Sequence, residues 1–330
     1  MRSTILGIGH YVPSKVVTND DLAKLMNTSD EWIVQRTGIK ERRYIEHSGI
    51  GASDLAVPAS KMALEHAGLT EKDIDAIIFA TLSPDHNFPG SGCFLGHKLG
   101  IGGVPALDVR NQCTGFLYGL SIADAWVRAG MYKNVLLVGA EVHSTGLDIS
   151  TRGRDVAVLF GDGAGAAVVG PSEDEHRILE TKLHADGSHY DILMVEAPAS
   201  RRNPRLTHEM LDEGRHFPTM DGKAVFKQAV ERLPEVIGEV LAAHGLGIAD
   251  IDLLVPHQAN LRINEMAAKR LGLGPDRVFN NIDRYGNTTA ASIPIALCEA
   301  RDRGMVRPGS RVVLAAFGAG LTWGATLLRW

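Results

Sequence analysis

Three side chains in this 330-residue sequence combine a reactive type with a setting that nucleophilic or electrostatic catalysis can use. Cys113 follows the apolar run Ala106-Leu-Asp-Val and opens a helix-like stretch that continues to Gly130. A helix start offers unpaired amides and a partial positive charge, which favour a thiolate and can donate to an oxyanion. His257 follows the strand-like run Ile251 to Val255 through Pro256, and the carboxyl end of a parallel strand is where open α/β sheets place ligands. Asn287, in Tyr285-Gly-Asn-Thr-Thr, stands at another strand-to-helix turn. Each residue also has an ordinary use: a cysteine as a small buried apolar group, an asparagine as a helix cap. Cys93 and Cys298 have no comparable setting. The three cysteines show neither metal nor redox spacing, so no metal site is expected and reduced thiols in a cytoplasmic protein are.

The elements that must position these residues come as a duplication. The segment 68–81, Gly-Leu-Thr-Glu-Lys-Asp-Ile-Asp-Ala-Ile-Ile-Phe-Ala-Thr, is echoed by 245–258, Gly-Leu-Gly-Ile-Ala-Asp-Ile-Asp-Leu-Leu-Val-Pro-His-Gln. Asp75 and Asp252 are 177 positions apart, and so are Val135 and Val312 in the strand-like runs Val135-Leu-Leu-Val and Val312-Val-Leu-Ala. Each half alternates strand, turn and helix, which predicts an α/β fold of mostly parallel sheets covered by helices. The halves are expected at 1–172, carrying the cysteine, and 173–330, carrying the histidine and asparagine. By the same offset Cys113 corresponds to residue 290, so the turns bearing Cys113 and Asn287 would meet across a pseudo-twofold axis. Residues 197–220, rich in Pro, Arg, His and Asp, read as a long irregular excursion, and such loops are usually functional or disordered.

A net charge of −5 argues against a general nucleic-acid binder. No run of eighteen apolar residues predicts a membrane span, and the first ten residues do not read as a secretory signal. Gly161-Asp-Gly-Ala-Gly lacks the Gly-Lys-Ser/Thr ending of a phosphate loop and reads as a tight strand connection.

Six ordered strings resemble the β-ketoacyl-acyl carrier protein synthase III family. They are Ser29-Asp-Glu-Trp-Ile-Val-Gln-Arg-Thr-Gly-Ile, Cys113-x-Gly-Phe, Phe160-Gly-Asp-Gly-Ala-Gly-Ala-Ala, Pro256-His-Gln-Ala-Asn-Leu-Arg, Tyr285-Gly-Asn-Thr-Thr-Ala-Ala-Ser and Phe317-Gly-Ala-Gly-Leu-Thr-Trp-Gly. The resemblance implies the duplicated thiolase fold, five layers deep (α-β-α-β-α). It implies that Cys113 takes an acyl group from an acyl-CoA primer, and that His257 and Asn287 then stabilise the enolate formed as malonyl-acyl carrier protein loses carbon dioxide. No metal or redox cofactor is implied, because decarboxylation supplies the carbanion. The amides of Cys113 and Ala319 would form the oxyanion hole. Trp32 and Arg152 would sandwich the CoA adenine, with Arg36 in the same entrance motif and Asn260 on the pantetheine arm. Phe317 would line the acyl pocket, and Phe88 would close the pocket of the partner in a homodimer. Lys227, Arg262, Lys269 and Arg270 would dock the acidic carrier protein, the last three on one helix face.

The sequence departs from that family in three places. Asn111 and Gln112 precede the nucleophile where alanines are usual, Ala319 replaces a usual glycine, and 197–220 is longer than in short, acetyl-primed members. A positive φ at 319 would disturb the oxyanion hole. These changes surround the substrate tunnel and suggest a primer longer than acetyl. Rival readings are a head-to-head acyl condensing enzyme, a secondary-metabolism ketosynthase and a non-catalytic acyl-CoA-binding paralogue. A hydroxymethylglutaryl-CoA synthase would need a catalytic glutamate, and none is placed beside Cys113 by the sequence.

Overall fold

A computed structural model describes residues 2–330. Its first sheet is built from Arg2–Tyr11 (β1), Ala76–Ala80 (β2), Ala106–Val109 (β3), Val135–Glu141 (β4) and Gly163–Ser172 (β5), in the order β1-β5-β4-β2-β3. The second contains Arg177–Ala185 (β6), Leu253–Pro256 (β7), Arg311–Gly318 (β8) and Thr322–Arg329 (β9), in the order β6-β9-β8-β7. In both, two antiparallel pairings are followed by a parallel one: β1/β5 and β5/β4, then β4/β2; β6/β9 and β9/β8, then β8/β7. The counterpart of β3 shrinks to a single parallel bridge between Leu254 and Val278.

The duplication holds at the level of register. Ala76 pairs with Val135, and Leu253 with Val312. From 76 to 253 and from 135 to 312 the offset is again 177. The repeated aspartates have the same work in both halves. The Asp75 carboxylate accepts from the amides of Lys133 and Asn134, and that of Asp252 from the amide of Arg311, so each ties the entry of one parallel strand to the next.

The helices complete the five layers. Ala52–Ala67 (α1) covers the outer face of the first sheet, while Gly222–Ala242 (α3) and Leu261–Leu271 (α4) cover that of the second. Between the sheets lie Gly115–Arg128 (α2) and Ser292–Asp302 (α5), whose buried faces share one core with both sheets, including Phe116, Leu120, Ile293 and Leu297. α1 approaches β1 so closely that a Cβ on Gly9 would lie 2.4 Å from the Ala59 carbonyl oxygen. The excursion 197–220 is less irregular than its composition suggested. Met194 and Thr219 pair within a two-stranded ribbon, Leu193–Val195 against Pro218–Met220, and His208–Asp212 forms a helical turn capped by Thr207. No described helix is long and apolar enough to cross a membrane.

Candidate active site

α2 and α5 begin in the same way. A 3-10 turn, Gln112–Thr114 or Thr289–Ala291, precedes each helix and packs against the other. Each turn contains one non-glycine residue in the left-handed region, Gln112 at φ 44° and Thr289 at φ 49°, again 177 positions apart. Such backbone persists only where its surroundings over-determine it, and it is concentrated at functional sites. Here it turns the chain sharply after the sheet and aims the following residue at the junction. In the first half that residue is Cys113; in the second it is Ala290.

The Cys113 thiol is 7% exposed. Burial, and then the nearby Glu141 carboxyl, push it up to about 12, while the amides of Ala319 and Cys113 pull it down. The expected lowering by the helix start is thus outweighed, because a thiolate so far from water loses more hydration than two amides return. Glu141 itself is fully buried and pushed up to about 7 by desolvation, although Thr81, Leu82 and Ser83 all donate to it. Its position beside the cysteine was missed at the sequence level. Gly318 packs on Cys113, so that a Cβ added to it would fall 2.5 Å from the Cys113 Cβ. Ala319 does not adopt a positive φ, so its side chain costs no strain there; that burden sits on Gln112.

His257 is 4% exposed and burial drives its imidazole down to about 3, so the ring is neutral. Its Nδ1 lies 2.6 Å from Ser292 Oγ, and its Nε2 has no protein partner. Asn287 accepts from the Thr289 amide through Oδ1 at 2.8 Å, which leaves its amide N–H groups free. Thr289 is held in turn by His143, whose Nε2 lies 2.7 Å from Thr289 Oγ1.

Cys113, His257 and Asn287 line one cavity of about 1000 Å³, together with the buried Phe317 and Gly318, the half-buried Trp32 and Asn260 and the exposed Arg36 and Arg262. Cys113 and Phe160 also line a second cavity of about 690 Å³, which reaches Tyr190, Val195 and His216 and has Ala319 in its wall. Cys113 therefore stands where two cavities adjoin.

These features match known proteins along the whole chain. Residues 107–187 match the family described as 3-Oxoacyl-[acyl-carrier-protein (ACP)] synthase III, and 241–330 match its C-terminal counterpart. A Beta-ketoacyl-[acyl-carrier-protein] synthase III from Caldanaerobacter subterraneus subsp. tengcongensis is 49% identical over 326 residues, covering 99% of this chain and 97% of that protein. The chain belongs to the β-ketoacyl-acyl carrier protein synthase III family. A relative of that name from Rhodospirillum centenum is 47% identical over 100% of this chain and 99% of its own. The crystal structure of a synthase III from Aquifex aeolicus superposes with a TM-score of 0.91 at 43% identity, covering 99% of this chain and 100% of that one. The family's duplicated thiolase fold is the fold observed here.

Among the entrance residues inferred for a synthase III, Arg152 is not the one placed over Trp32. The guanidinium over Trp32 belongs to Arg154, 4.5 Å from the ring centroid, with Arg36 at 4.3 Å. Arg152 turns away, bonding Asp148 at 2.6 Å and the Asp212 carbonyl at 3.0 Å. Asn260 caps α4 by accepting from the Arg262 amide and donates to the Arg36 carbonyl at 3.0 Å, which binds the entrance helix Asp30–Thr37 to α4. Lys227, Arg262, Lys269 and Arg270 are exposed on α3 and α4, and Arg270 also donates to the Val230 carbonyl. Lys223, exposed and lining the first cavity, was not anticipated. Phe88 is 86% exposed and lines neither cavity of its own chain.

Proposed function

We propose that this chain catalyses a decarboxylative Claisen condensation of an acyl-CoA primer with malonyl-acyl carrier protein, giving a β-ketoacyl-acyl carrier protein that initiates fatty acid synthesis. The observation that carries this reading is the convergence of a buried thiol, an unpartnered imidazole nitrogen and a free amide on one cavity. Cys113 attacks the primer thioester, its proton leaves with the CoA thiol, and the acyl group stays on sulfur. The Ala319 and Cys113 amides stabilise the tetrahedral oxyanion. Malonyl thioester then enters the first cavity and loses carbon dioxide. The electron pair of the broken C–C bond forms an enolate, held by His257 and Asn287, which attacks the acyl carbonyl and expels the Cys113 thiolate. A neutral imidazole suits this step, because it donates to the enolate oxygen without surrendering charge. No metal or redox cofactor enters any step.

In this reading the first cavity takes the pantetheine arm, with Trp32, Arg36 and Arg154 at the nucleotide end, and Lys227, Arg262, Lys269 and Arg270 meet the acidic carrier protein. The second cavity takes the acyl chain, so Phe317, expected in the acyl pocket, stands instead in the pantetheine cavity. The second cavity's 690 Å³ lies within the roughly 300–1,000 Å³ range of small-molecule pockets and far exceeds an acetyl group, which favours a longer primer. Phe88 and the exposed edge strand β3 support a homodimer.

Intact-protein mass spectrometry after incubation with acyl-CoAs from acetyl to dodecanoyl tests the reading. A mass gain lost in Cys113→Ala and greatest at a chain longer than acetyl is expected. Absence of any adduct favours a non-catalytic paralogue, and a strong acetyl preference removes the long-primer assignment.

A further inference from the structure

We propose that Ser292 is a positioning residue for condensation: its hydroxyl fixes the His257 imidazole as the tautomer that carries its proton on Nε2. The inference rests on the reaction proposed above and concerns a residue that never touches substrate.

Ser292 is 1% exposed and stands at the first position of α5. Its Oγ lies 2.6 Å from His257 Nδ1 and accepts, at the longer distance of 3.4 Å, from the Gln258 amide. A buried hydroxyl needs an acceptor for its hydrogen. Nδ1 is the only acceptor bonded to it among the described residues, so the hydroxyl donates to Nδ1. A neutral imidazole has one donor and one acceptor nitrogen. With Nδ1 accepting, the proton sits on Nε2, the nitrogen that is buried without a partner and lines the cavity beside Cys113. The Asn287 amide, its oxygen already engaged by Thr289, supplies the second donor. Two N–H donors therefore serve the enolate oxygen; the other tautomer would point a lone pair at the developing negative charge.

The duplication shows that the fold does not require this hydroxyl. The position 177 residues earlier is Gly115, which begins the equivalent helix α2 with no side chain to offer. The hydroxyl is present only in the half that carries the histidine.

The test uses the full-length protein. Long-range ¹H–¹⁵N correlation of the histidine rings, with the His257 signals assigned by their loss in His257→Gln, should show an Nε2–H tautomer in the wild type. In Ser292→Ala the signals should move toward a mixture of tautomers, and kcat for condensation should fall roughly ten- to a hundredfold, the range typical of a second-layer partner. Acylation of Cys113 and KM for acyl-CoA should be unchanged. Ser292→Thr, which keeps the hydroxyl, should recover most of kcat. An Nδ1–H tautomer in the wild type, or unaltered condensation in Ser292→Ala, overturns the proposal. If Ser292→Ala also loses acylation, its fold has been disturbed and the wild-type spectrum with Ser292→Thr decides. A wild type that acylates but never condenses malonyl-acyl carrier protein overturns the functional reading instead, and the spectrum still decides the tautomer.

Discussion

The Cys113 thiol, which the proposed reaction requires as a thiolate, is kept protonated by its surroundings. Desolvation and the Glu141 carboxyl raise the Cys113 thiol to about 12, and the neutral His257 ring, itself depressed to about 3, offers no cation to oppose them. A thiolate is the reactive form, and far below the pKa its population rises about tenfold per pH unit. The sign is therefore fixed: alkylation of resting Cys113 by iodoacetamide should be slow at pH 7 and climb about tenfold per unit to pH 9 without a plateau. Peptide mass spectrometry separates it from the exposed Cys93, which serves as an internal control. A plateau near neutral pH would show that the helix start and the Ala319 amide win over burial after all.

Elements set what each residue can reach, and the entrance shows it best. Arg152 and Arg154 flank Gly153 in one turn, but only Arg154 lies over Trp32, while Arg152 is held by Asp148 and Asp212. Cation–π contacts are worth about 0.5–2 kcal/mol depending on desolvation. Arg154→Ala should therefore raise KM for acyl-CoA by roughly tenfold with little change in kcat, whereas Arg152→Ala should leave KM nearly untouched. The reverse pattern in steady-state kinetics would restore Arg152 to the nucleotide site. The motif was legible and the choice between its two arginines was not, because the direction of a side chain beside a four-residue helix depends on a register that no periodicity reports. Asp75 and Asp252, by contrast, exposed the duplication at once: their carboxylates do the same local job in both halves, so residue type and spacing survive together. That Cys113, His257 and Asn287 would converge was legible for a similar reason, each sitting at a turn after a strand. Glu141 was not, since within Val135–Glu141 it reads as the polar end of an apolar strand and its proximity to Cys113 is purely tertiary.

At the scale of the molecule, one sheet is left unfinished. β3 closes the first sheet with an exposed edge, Leu107 being 37% exposed, and the loop bearing Phe88 is fastened to that strand where Ser91 and Gly92 donate to Asp108. A bare edge strand beside a phenylalanine 86% exposed is a liability unless another chain covers it. Pairing β3 with its own symmetry mate would cover both and carry Phe88 toward the partner's second cavity, whose wall includes the neighbouring Asn87. Sedimentation equilibrium should then give a dimer at micromolar concentration. A mixing experiment separates assembly from pocket closure. Phe88→Ala keeps the nucleophile but leaves the partner's pocket open, and Cys113→Ala keeps Phe88 but has no nucleophile. Co-refolded together, the two should form heterodimers containing one complete site, with the wild-type chain-length preference restored in about half of the population. A monomeric wild type, or a Phe88→Ala homodimer whose primer preference is unchanged, would place Phe88 outside the acyl pocket and leave the cavity to be closed by the chain's own 190–220 segment.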